Sequence, residues 1–142
     1  MAWLDEQMAG WQEMNHRNSL LDAGASALYE KLWQKIVAVK DEARQKGLIV
    51  ETHGTTTERM IGYGEANTGE RREITFELNP DRRKIEIRGQ FSQDFTIEIC
   101  PDGVVCIKYK GDPISIEEAS HKILGPLFFP GLQNPPVTPP KS

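Results

Sequence analysis

The chain has 142 residues, of which 38% are hydrophobic and 27% charged, and a formal charge of −4; this describes one soluble domain able to bury its own core without disulfide or metal staples. The acidic balance argues against nucleic acid as main partner, because gripping a phosphate backbone requires an excess of cations. No apolar run nears the roughly 18 residues of a membrane span, and Asp5, Glu6 and Glu13 precede the first cation, Arg17, where a signal peptide would be basic; the expectation is a cytoplasmic protein with no membrane contact.

Residues 1–25 read as an amphipathic arm in which Leu4, Met8 and Trp11 recur at helical spacing behind acidic residues. Gly24, in "LLDAGAS", suggests a break before a second helix. That helix is expected over residues 26–46. Ser26 is its expected N-cap, and Leu28, Leu32, Ile36 and Val39 form its apolar stripe, widened by Tyr29, Trp33 and Val37. Arg44 and Lys46 suit the negative end of the helix dipole, and Gly47 suits a left-handed cap.

After Gly47 the apolar period falls from 3.6 to 2. Six strands follow: "LIVETHG" and "ERMIGYG", joined by the threonines at 55–57, then "REITFEL", "KIEIRGQ", "DFTIEIC" and "VVCIKYK". Short turns between them imply an antiparallel meander. In "CPDGV", Pro101 and Asp102 suit a type I turn and Gly103 a left-handed bulge. That turn would pair Cys100 with Val104, Ile99 with Val105, Ile97 with Ile107 and Phe95 with Tyr109. In the preceding hairpin, matching apolar residues joins Leu78 to Ile85 and Phe76 to Ile87. A closing helix begins at Ser115, where Glu118 completes a capping box, and Gly125 and Pro126 are expected to end it. The tail from 126 to 142 holds six of the nine prolines, which exclude regular helix and central strand; its Pro136–Pro139 match to P-x-x-P is a weak recognition signal.

The expected fold class is α+β: a long N-terminal and a short C-terminal helix on one face of a six-stranded antiparallel meander. Residues 26–125 form its single domain, between the arm and the proline-rich tail. The order helix, meander, helix is similar to that of frataxin-like proteins, small secretion chaperones and helix-grip folds; the likeness is one of topology and transfers no function.

Six of the eight arginines, at 59, 71, 72, 82, 83 and 88, crowd into thirty residues, and their forks suit phosphates and carboxylates. Yet residues 51–90 carry eight acids against seven cations. Alternation sets Glu73, Thr75 and Glu77 on the outward face with Lys84, Glu86 and Arg88, where cross-strand ion pairs keep a sheet soluble. Arg72 and Arg83 are the exceptions, expected on the core side. Cys100 and Cys106 fall on the outward face, offset diagonally, and read as two reduced thiols. The histidines at 16, 53 and 121 sit on separate elements, no C-x-x-C occurs, and neither a metal nor another cofactor is indicated. "GYGEANTG" lacks the lysine–threonine pair of a phosphate loop and reads as a hairpin loop.

Apolar residues at the two ends remain. Trp3, Leu4, Met8 and Trp11, with Leu127, Phe128, Phe129 and Leu132, lie outside the unit of long helix, meander and closing helix, and read either as packing back over the same domain or as an interface, the reading favoured here. The sequence therefore favours a small non-catalytic protein that works by protein binding, as a homodimer or other homo-oligomer, over an enzyme. The alternative is a pocket for a small anionic ligand between helix and sheet, using Arg72, Arg83 and Tyr63.

Overall fold

A computed structural model of the chain describes residues 2–54 and 58–132. The threonine link at 55–57 and the P-x-x-P match lie outside the described residues. The class is α+β, with a long first helix, an antiparallel meander and a short last helix. The helix α1 spans Ala2–Gln45. The strands are β1 (Ile49–Gly54), β2 (Arg59–Gly64), β3 (Arg71–Asn79), β4 (Lys84–Gly89), β5 (Gln93–Ile99), β6 (Val105–Tyr109) and β7 (Asp112–Ile114), followed by α2 (Ile116–Phe128). They form one sheet in chain order.

Turn chemistry and alternation set the register as expected. Leu78 pairs with Ile85, Phe76 with Ile87, Ile97 with Ile107 and Ile99 with Val105. The Cys100 amide donates to the Val104 carbonyl at 2.9 Å, and the rings of Phe95 and Tyr109 lie 5.2 Å apart. Both helices cover this apolar face. Tyr29, Leu32 and Ile36 of α1 and Ile123 and Leu127 of α2 are buried with Ile61, Ile74, Phe76, Ile85, Ile87, Phe95 and Ile107 of the sheet.

Among the described residues the sheet has seven strands, not six. The added strand is three residues long and contains Pro113. Proline donates no ladder hydrogen bond, so it is tolerated on an edge strand. Lys110 and Gly111, with φ of 52° and 89°, make the tight turn into it.

α1 does not break at Gly24, and Ser26 is no N-cap; one helix runs through both. The glycine serves tertiary packing. A Cβ built on Gly24 would lie 2.6 Å from Val105 Cγ1, so its bare backbone lets α1 press against β6. From there α1 crosses the sheet to β1, where Arg44 donates to the Val50 carbonyl at 3.0 Å and Gly47 takes φ 93°.

α2 begins as expected, with both halves of the capping box at Ser115 and Glu118, but it continues past Gly125 and Pro126 to Phe128. Pro126 has no N–H for the Lys122 carbonyl four residues back. The Gln93 side-chain amide of β5 donates to that carbonyl instead, at 2.8 Å, and so lets the helix pass through its proline.

The two cysteines are not free thiols: Cys100 and Cys106 form a disulfide across the β5–β6 hairpin. Diagonal neighbours in a ladder usually stand roughly 7–8 Å apart. Here the Cα atoms are only 6.0 Å apart, inside the bridging range, as a twisted hairpin allows for one of its two diagonals.

Candidate functional site

Of the residues expected to hold an anion, Arg72 and Tyr63 meet and Arg83 lies apart. Arg72 faces inward from β3, as alternation requires, but its donors are engaged within the fold. Nε donates to the Leu127 carbonyl at 2.8 Å and Nη2 to that of Phe128 at 3.1 Å. These belong to the last turn of α2, whose carbonyls lack helical partners. Nη1 lies 3.4 Å from Glu65 and 3.5 Å from Glu70, and the guanidinium sits 4.7 Å from the Tyr63 ring. Arg72 and Tyr63 thus cap a helix and tie down the β2–β3 loop. That loop closes on itself through the Glu65 amide to the Glu70 carbonyl, 2.7 Å, and takes its turn at Gly69, φ 73°.

Arg83 lies elsewhere, in a left-handed conformation with φ 50°. It reaches α1, with Nε 3.1 Å from Asp22 and Nη2 3.4 Å from Asn18. Arg71 and Arg88 remain outside, paired with Glu51 and Glu73 and with Glu86 and Asp94. The Arg71 guanidinium holds the Glu51 carboxylate below its ordinary pKa range. The outer sheet face carries the mixed-sign ion pairs that the sequence suggested.

One inward arginine escaped the sequence reading. Arg59 is buried, 5.0 Å from the rings of both Tyr29 and Trp33, and Nη2 meets the Glu30 carboxylate at 2.9 and 3.1 Å. Its strand parity with Ile61 and Tyr63 was the available signal. Beside it the Tyr29 hydroxyl donates to the Phe76 carbonyl at 2.7 Å, and burial pushes its pKa up to about 12. The cluster fastens α1 to β2 and β3.

Among the expected interface residues, Leu127 and Phe128 belong to the domain's own core. Phe129 and Leu132 are 48% and 56% exposed at its margin. The arm differs: every residue from 2 to 17 is exposed, with Trp3 at 66% and Trp11 at 63%, and the first partly buried position is Asn18. At 1.5 Å per residue the helix projects about 24 Å past the sheet. Leu4, Trp11, Asn18, Ala25 and Leu32 follow one another at seven-residue steps, so the exposed apolar line continues the line that is buried further along. Met14, which the sequence reading did not single out, joins Leu4 and Trp11 on that line.

Among the described residues no helix is long and apolar enough to cross a membrane. His16, His53 and His121 lie on α1, β1 and α2 and are not brought together. No protein-family model, curated protein or solved structure matches this chain.

Proposed function

We propose that the protein is a non-catalytic binding module that acts as a homodimer through the projecting face of α1. The observation that carries this reading is the apolar line along α1, interrupted only at Asn18, whose second half, from Ala25 to Leu32, builds the core and whose first half, Leu4, Trp11 and Met14 with Trp3 beside them, is uncovered. The large apolar side chains of the arm form an exposed face of the kind that marks an interaction surface. Trp3, Leu4, Met8, Trp11 and Met14 expose on the order of 600 Å2 per arm, so two arms face to face would bury about 1,200 Å2, the lower bound of a standard stable interface. A second copy supplies a matching face by symmetry.

The test is sedimentation equilibrium of the full chain at micromolar concentration. A mass near twice 16.0 kDa supports the reading, and conversion to monomer by Trp11→Glu with unchanged circular dichroism locates the contact. A wild-type mass of 16.0 kDa at every concentration would sink it.

The cytoplasm, expected because Asp5, Glu6 and Glu13 stand where a signal peptide would be basic, is the part of the reading under most pressure. A Cys100–Cys106 disulfide persists in an oxidising compartment and is reduced in the cytosol. Alkylation of protein trapped directly from its native cells tests the compartment: two modified thiols favour the cytoplasm, and none favours export.

A further inference from the structure

We infer a binding site for a small organic anion in the cleft between the second half of α2 and the β4–β5 and β6–β7 turns, remote from the arm and independent of its role. The cleft encloses about 660 Å3 and is lined by Phe91, Gln93, Tyr109, Lys110, Lys122 and Leu132 among others. That volume suits a small ligand.

Its charge is one-sided. Among the described residues, Lys110, His121 and Lys122 line the cleft and no carboxylate does. The Nζ atoms of Lys122 and Lys110 lie 4.8 and 5.4 Å from the centroid of the same Tyr109 ring, so one ring in the cleft wall holds both cations. Among the described residues neither ammonium has an ion-pair partner, whereas Arg59, Arg71, Arg72, Arg83 and Arg88 all do. Asp94 lines the adjoining hollow but is held by Arg88 at 2.8 Å. An anion in the cleft would be attracted by both unpaired ammoniums.

The turn that presents Lys110 is unusual in its chemistry. A tight hairpin turn with positive φ at both central positions favours Asn, Asp or Gly, yet the first position is a lysine at φ 52°. On the other wall, Pro126 interrupts the α2 hydrogen bonds and Gln93 repairs them, which fixes Lys122 of α2 against β5. Both cations are therefore carried on defined backbone. With Phe91, Pro126 and Leu132 as apolar wall, the site suits a carboxylate or phosphate head joined to a ring or short apolar body.

Isothermal titration of the full chain with phenyl phosphate, benzoate, inorganic phosphate and benzyl alcohol tests this. At least one of the two aromatic anions should bind more tightly than benzyl alcohol and inorganic phosphate; whichever is tighter tells a phosphate from a carboxylate ligand. Lys110→Gln with Lys122→Met, which keeps most of the apolar stem over Tyr109, should weaken binding by at least about tenfold. Lys35→Gln, on α1, should leave it unchanged. Absence of millimolar binding by both aromatic anions, or equal binding to the double variant shown folded by circular dichroism, would overturn the proposal.

Discussion

Replacing Gly24 by alanine separates two readings of that glycine by the sign of the effect. In an exposed helix interior, alanine is better than glycine by about 1 kcal/mol, so a glycine that merely weakened α1 would yield a stabilised variant. Here the new Cβ would lie 2.6, 2.7 and 2.8 Å from Val105 Cγ1, Cβ and Cγ2. Two of these atoms are the branches of a side chain with little χ1 freedom, so the helix and β6 must move apart. Overpacking of this kind typically costs about 1–3 kcal/mol, which exceeds the propensity gain and leaves a net loss of about 1 kcal/mol. Urea denaturation followed by circular dichroism would show a lowered midpoint. Gly10→Ala, with nothing within 4 Å of the built Cβ, is the control and should be no less stable than wild type. Val105→Ala removes two of the three close contacts, so Gly24→Ala should be less harmful in that background. If Gly24→Ala stabilised the protein as an exposed glycine would, the close approach of α1 to β6 would be refuted.

Further expectations follow from the buried polar groups. Tyr29, whose pKa is pushed up to about 12 from 10.0, keeps its proton in the folded chain at pH values where the unfolded chain has lost it. Stability therefore falls as pH rises from 10.0 to about 12, by on the order of 2 kcal/mol, and Tyr29→Phe should flatten that alkaline slope in urea titrations. Arg72→Met strands the Leu127 and Phe128 carbonyls beside Glu65 and Glu70 and should cost about 3 kcal/mol, with hydrogen exchange accelerated first at the end of α2. Gln93→Leu leaves the Lys122 carbonyl without a donor, a loss of about 1–2 kcal/mol; in a Pro126→Ala background, where residue 126 regains an N–H, the same change should cost measurably less.

These residues also show where the sequence stops being informative. The hairpin registers were legible because a Pro-Asp-Gly turn and strict alternation fix the facing residues locally. So was the inward direction of Arg72, which is a matter of parity along one strand. Its partners were not, since they are carbonyls more than fifty residues away whose exposure depends on where α2 ends. That end was itself misplaced at Pro126, because the donor that replaces the missing N–H comes from another strand. A helical glycine admits both a break and a close approach, and only the position of β6 decides. The cysteine pair turned on an ångström of twist that a flat ladder does not contain. Lys110 and Lys122 sit on different elements and meet only over Tyr109, so no local pattern could bring them together.

The central claim is that one apolar line along α1 serves the core at one end and a second copy at the other. Amide hydrogen exchange over residues 2–17, measured across a dilution series, addresses it most directly. The expected result is protection at high concentration that is lost on dilution while residues 25–43 stay protected throughout. Fast exchange of the arm at every concentration, or protection that dilution does not change, would contradict the claim.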